Sequence, residues 1–191
     1  FSECHPEGPY AKSKWQAERC LIDLCQKEKM NLTVLRLATL YGEEDPGNVA
    51  RLVRLIDRGR FIWIGKGDNY KSLLHREDAA RACIIVLKSP ISGINIYNVS
   101  APPYAMRDVV AEISKALNKP LPSLHIPASF ALTSSKVLKK ISFSHGRLSA
   151  VHITVQKWLA NDFYKTDKFF RLFNFNEQVG LEEGILREVA W

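Results

Sequence analysis

The sequence predicts an α/β fold with a mostly parallel sheet. Two observations carry that prediction. Short β-branched apolar runs alternate with longer segments of helical period, and 191 residues suffice to bury a core without staples. With 46% hydrophobic and 25% charged residues, disordered and collagen-like classes are excluded.

The elements follow in order. Pro9 introduces a helix over Tyr10–Lys29 carrying Trp15, Ala17, Leu21, Ile22, Leu24 and Cys25. Asn31 to Leu37 is a β-branched strand in a run that ends at Tyr41-Gly42. Glu43–Gly47 is a turn-rich loop. Asn48–Arg58 returns to helical spacing through Val49, Leu52, Val53 and Ile56, closed by Gly59. Phe61–Ile64 reads as a strand and Gly65–Asn69 as a tight loop. Ser72–His75 is a brief strand, Glu77–Leu87 a helix, and Asn95–Val99 another strand. Met106–Leu117 is an amphipathic helix with its cap expected near Arg107-Asp108, and Pro120 and Pro122 end it. Ile126-Pro127 opens a helical stretch to Ile141, Ser142–Ser149 is irregular, Thr166-Asp167 precedes a short helix through Phe170, and Leu181–Trp191 forms the last one.

The net charge of +7 is unevenly placed. No acidic residue lies between Glu112 and Asp162. That segment holds Lys115, Lys119, Lys136, Lys139, Lys140, Arg147 and Lys157, and the remainder is balanced. Nucleic acid, an anionic membrane surface, a protein partner or a phosphate-bearing substrate each suits such a segment. The four cysteines form no CxxC pair, so reduced thiols in a cytoplasmic setting are expected. The five histidines show no metal-site spacing, and no metal is expected. No apolar run approaches a membrane span, and no signal-peptide pattern is present. Phe1 is not an initiator Met and both ends are abrupt, which reads as a piece of a longer protein.

Chemistry concentrates at Tyr10-Ala11-Lys12-Ser13-Lys14. Four residues of spacing put Tyr10 and Lys14 on one helix face, one turn apart, and an ammonium beside a phenol favours the phenolate. Chance would supply about half a YxxxK match in this composition, and there are two. Tyr164 and Lys168 form the other, in a loop before a short helix. Only Tyr10 opens a long helix that leads directly into a strand.

Glu3, Pro6, Pro9, Tyr10, Lys14, Ala17 and Glu18, in that spacing, closely resemble the active-site helix of the extended short-chain dehydrogenase/reductases, the NAD-dependent sugar-nucleotide epimerase/dehydratase group. The likeness continues through Arg36–Gly42, Gly65-Lys66-Gly67 with Lys71–Ala82, Tyr97–Ser100, and Thr166-Asp167-Lys168 with Phe173–Phe175 and Leu181–Gly184. The ordered succession spans the chain, and UDP-glucose 4-epimerase-like proteins are the nearest description.

The resemblance implies a Rossmann-type α/β fold. Residues 1–100 would be the remainder of the dinucleotide domain and residues 101–191 mostly a small substrate-binding lobe. Tyr10 would be the acid/base at a sugar hydroxyl, and Lys14 would hold the nicotinamide ribose and lower the Tyr10 pKa. Leu37 and Ala38 would pass close to the nicotinamide of NAD, with NADP equally open. Thr39 stands where many 4-epimerases carry Asn. Asn48 would approach the substrate phosphates at a helix start. Lys71 replaces the usual diphosphate-binding Arg, keeping the charge without the bidentate fork, and Lys157 would be a second cation near substrate. The helix from Tyr10 to Lys29 would pair across a homodimer. The family's glycine-rich phosphate loop has no counterpart here, since Gly65-Lys66-Gly67 lacks the third glycine and the strand-to-helix setting. Weak or absent dinucleotide binding and no turnover are therefore expected of these 191 residues alone. Two further readings stay open. One is a nucleotide-sugar-binding module without redox chemistry. The other is a basic interaction domain for an anionic membrane or nucleic acid, built on Phe130, Leu132, Val137, Leu138 and Ile141 with Lys136, Lys139 and Lys140.

Overall fold

Leu32 to Leu37 pair in parallel with Ile94 to Val99, so that Val34 lies opposite Ile96 and Leu37 opposite Val99. The computed structural model describes residue 6, residues 8–141 and residues 154–191, with the helix alone for 136–141. Its elements run α1 (Gly8–Lys27), β1 (Leu32–Leu37), β2 (Thr39–Tyr41), α2 (Asn48–Asp57), β3 (Trp63–Ile64), β4 (Tyr70–Lys71), β5 (Leu73–His75), α3 (Arg76–Lys88), β6 (Ile94–Val99), β7 (Tyr104–Ala105), α4 (Met106–Ala116), β8 (His125–Ile126), α5 (Ala128–Ile141), α6 (154–159), α7 (Asp167–Phe173) and α8 (Leu181–Ala190).

Three strand pairs are parallel (β1–β6, β2–β5 and β3–β8), and β4–β7 is antiparallel. The Ala38 N–H donates to the Val99 carbonyl and the Ala101 N–H to that of Leu73. These two bonds lie where the two-stranded β1–β6 and β2–β5 sheets adjoin. Successive residues of a strand point to opposite faces, and β5 uses both. Leu73 enters a core cluster with Tyr41, Leu52, Trp63, Val109, Ile113 and Ile185. Leu74 enters the other, with Ala82, Tyr97, Val99, Phe169 and Phe175. The first cluster draws residues from both sides of the division expected at residue 100.

The α/β class and its mostly parallel pairing hold, and every long element falls within a few residues of its expected bounds. Two details differ. β2 is separate from β1 because the chain changes partner after Ala38, from β6 to β5. The cap of α4 is Ala105, not Arg107-Asp108, and no side chain serves it. The reason is tertiary: the Met106 and Arg107 N–H groups donate to the carbonyls of Asn69 and Gly67, so the loop before β4 satisfies donors that a side chain would otherwise take. Strands β4, β7 and β8 have two residues each, too few to show a period, and α6 had no signal. The region Ser142–Ser149 and the side chains of Lys136, Val137, Leu138, Lys139, Lys140, Ile141 and Arg147 lie outside the described residues.

Candidate active site

α1 opens at Gly8, whose φ of +82° suits glycine, and Pro9 occupies the first turn, where a missing N–H costs nothing. Tyr10 and Lys14 follow on one face. Tyr10 is 76% exposed, and the Lys14 Nζ stands 5.6 Å from its ring centroid. A half-buried ion pair fixes this helix to the sheet: Arg36 of β1 donates through Nε to Glu18 Oε2 at 2.9 Å, and its other arm reaches Glu18 Oε1.

That pair also sets the height of Tyr10. α1 and β1 follow each other through a short turn at Lys29 (φ +52°), so they run antiparallel. From Glu18 back to Tyr10 is eight residues of helix, about 12 Å. From Arg36 forward to Thr39 is three extended residues, about 10 Å. Both lead in the same direction, so Tyr10 and Lys14 stand level with the end of β1, where ligands of open α/β sheets bind. Leu37 is exposed there, Ala38 buried and Thr39 half-buried.

The remaining expected residues divide. Asn48 is the first residue of α2, exposed, behind an N-cap Gly47 that offers no side-chain bond. Lys71 is half-buried, and its Nζ donates to the carbonyls of Lys157 at 2.7 Å and Ala160 at 2.9 Å. These are the last carbonyls around the end of α6, where a cation is favoured. Burial pushes the Lys71 pKa down, against the pull of the Asp162 carboxylate. Lys71 thus meets the main chain of Lys157, while the Lys157 side chain is exposed. The contact belongs to a wider seam. The Asp162 N–H donates to the Tyr70 carbonyl, Ser72 N–H to the Asp162 carbonyl, Tyr70 N–H to Asn161 Oδ1, and Asn69 Nδ2 to the Trp158 carbonyl. In the second YxxxK match, the Lys168 Nζ lies 4.9 Å over the ring of Tyr97.

A buried polar group lies behind the strand ends. His75 caps α3, its Nδ1 accepting from the Glu77 N–H at 3.4 Å. Its Nε2 lies 3.5 Å from Glu43 Oε2, and its ring meets Tyr41 edge-on at 5.4 Å. Burial lowers the His75 pKa although Glu43 acts the other way, and burial raises that of Tyr41. Glu188, carried in by α8, accepts from the Gly42 N–H at 2.7 Å, and burial raises its pKa. Gly42 (φ +131°) is needed because a Cβ there would stand 2.8 Å from His75 Nε2. Asp78, in the first turn of α3, is fully buried and accepts from the Gln178 and Val179 N–H groups. The Tyr-Gly pair at a strand end was the one local signal for this group.

A Tyr and a Lys thus stand one turn apart on an exposed helix face beside parallel strands. Residues 1–100 match the NAD dependent epimerase/dehydratase family, and the chain belongs to that family. It is 34% identical over 173 residues to the N-acetyl-alpha-D-glucosaminyl-diphospho-ditrans,octacis-undecaprenol 4-epimerase of Escherichia coli O157:H7, covering 87% of this chain and 52% of that protein. It is 27% identical over 124 residues to a UDP-glucose 4-epimerase of Vibrio cholerae, covering 64% of this chain and 38% of the relative. In fold it matches the UDP-glucuronic acid 4-epimerase of Bacillus cereus solved in complex with NAD, at a TM-score of 0.72 and 15% identity over 98% of this chain and 53% of that one. The chain therefore spans about half the length of the relatives it matches.

Proposed function

We propose that this chain supplies the acid/base helix and the sugar-facing side of an NAD(P)-dependent 4-epimerase acting on a diphosphate-linked hexose. The observation that supports this most is the placement of Tyr10 and Lys14, level with the end of β1 on a helix tied to that strand by Arg36 and Glu18. The residues present suit one end of the dinucleotide: Lys14 would hold a ribose, and exposed Leu37 beside Ala38 would offer an apolar wall to the nicotinamide. Among the described residues no Gly-x-Gly-x-x-Gly loop joins a strand to a helix, so these 191 residues alone bind the dinucleotide weakly. Bound NAD(P) supplies a reversible hydride acceptor.

The protein's own part is proton handling and orientation. Tyr10 takes the proton of the sugar 4-hydroxyl, holds it as a neutral phenol while the ring turns over, and then returns it, with the Lys14 ammonium stabilising the phenolate before the first transfer and after the second. Thr39 faces the hexose, and Asn48 beside the first amides of α2 meets the diphosphate. Lys157 is the available cation near it. The diphosphate carrier is a uridine nucleotide or a polyprenol, the two carriers named for the relatives above. The exposed apolar residues Trp15, Leu21 and Leu24 of α1 support a homodimer through that helix.

The test is Tyr10→Phe in the native protein, assayed for interconversion of UDP-N-acetylglucosamine and of its polyprenyl-diphosphate counterpart with their 4-epimers. Removing the acid/base should cost about 10²- to 10⁴-fold in turnover with little change in substrate affinity. Undiminished turnover on both substrates would overturn the assignment of Tyr10.

A further inference from the structure

The 119–130 segment presents apolar side chains outward from a backbone that is firmly held. Trp63 Nε1 donates to the Pro122 carbonyl at 2.8 Å. The Trp63 N–H donates to the Leu124 carbonyl and the Gly65 N–H to that of Ile126, and the Trp63 ring stacks on His125 at 5.8 Å. Leu121 and Leu124 are nonetheless 62% and 60% exposed, and Phe130, in the first turn of α5, is 66% exposed. Leu124 and Ile62 line a groove with Arg60. His125 onward line a second groove with Lys66, and this one reaches Leu159 of α6, beside the seam that holds Lys71. The acids of the two grooves are neutralised: Asp57 by Lys119 at 2.7 Å and Asp68 by Arg107 at 3.1 Å. Arg60 and Lys66 remain exposed, and the sequence of α5 goes on through Lys136, Lys139 and Lys140 with no acid before Asp162.

Fixed exposed apolar side chains rimmed by cations, on an acid-free stretch, match the requirements of an interfacial membrane contact. We propose that the face formed by Ile62, Leu121 and Leu124, flanked by Arg60 and Lys66 and followed by the exposed Phe130 of α5, docks on an anionic lipid surface. This deepens the proposed function and rests on it in one respect: a polyprenyl-diphosphate sugar is embedded in a bilayer, and no helix among the described residues is long and apolar enough to cross one. The protein then meets its substrate by lying on the membrane, and the second groove leads from that surface to Leu159 of α6.

The experiment is flotation of the full chain with vesicles of phosphatidylcholine alone and of phosphatidylcholine with phosphatidylglycerol. Binding is expected on the anionic vesicles, falling with added salt. Phe130→Ser and Leu124→Ser should each weaken it by about tenfold, and Arg60→Glu with Lys66→Glu should remove most of its salt dependence. Unchanged thermal melting of these surface variants keeps the comparison sound, and failure of one to fold transfers the test to the other. Absence of binding, equal binding to neutral vesicles, or indifference to all variants would overturn the proposal. Duplex DNA binding of comparable strength that survives Phe130→Ser would also overturn it and assign the cations to nucleic acid. Tyr10→Phe should leave flotation unchanged, so failure here and failure of the epimerase reading are read separately.

Discussion

Lys71 offers the sharpest test of how the substrate side is held together. Lys71→Met keeps the length of the side chain and removes the ammonium, taking its bond from the Lys157 carbonyl and leaving the Ala160 carbonyl the longer, 3.4 Å bond from Asn69 Nδ2. A hydrogen bond from a charged donor contributes about 1.5–3 kcal/mol when buried, and a cation at a helix C-terminus about 0.3–1 kcal/mol. Both bonds lie near solvent, where water replaces part of the loss, and the variant escapes the cost of half-burying a charge. The expected loss is therefore about 1–2 kcal/mol, read as a lower urea midpoint at unchanged slope. The local effect should be larger than the global one. The Ser72, Asp162 and Tyr164 amides, which cross the same seam, should exchange hydrogen faster, while those of α4 should not change. Unaltered stability together with unaltered exchange over 154–164 would refute the cap. If the same variant instead lost affinity for a UDP-sugar, Lys71 would be a substrate cation.

Two other predictions concern the buried group behind the strand ends. A Cβ on Gly184 would stand 2.5 Å from Tyr41 Oη, and Tyr41 is packed in the core, so Gly184→Ala should destabilise despite the roughly 1 kcal/mol that Ala gains in a helix. Overpacking of about 1–3 kcal/mol predicts a net loss of up to about 2 kcal/mol and a fall in Tm of up to about 6 °C; a rise in Tm would sink the packing argument. His75 titrates below its ordinary value of 6.5 in the folded chain. As pH falls through 6.5 the unfolded chain takes up its proton first, so stability is full above that value and declines until the folded pKa is reached. His75→Asn retains a good N-cap and should flatten that decline in urea midpoints measured across the acid range; an unchanged slope would assign it to other groups.

Local pattern carried most of the architecture. The alternation of Leu32–Leu37 and Asn95–Val99 with helical segments announced a parallel layer, since burial on two faces selects β-branched runs. The Tyr10-to-Lys14 spacing and the strand that follows were likewise visible, because both are set within one helix and one turn. Other features need partners far along the chain. The Lys71 ammonium finds its acceptors 86 and 89 residues away, and the α4 cap comes from carbonyls of the 65–69 loop. Asp78 and Glu188 look like surface acids in sequence, yet their oxygens accept backbone donors about 100 and 146 residues distant. The sequence by itself determined the class, the helix that carries Tyr10 and Lys14, and the excess of positive charge in 113–161. Only the tertiary structure decided which polar groups are enclosed, which cations are spent on carbonyls or acids, and which apolar side chains stay outside. Burial and hydrogen-bond satisfaction depend on what a fold brings within about 3 Å, and spacing along one segment does not contain that information.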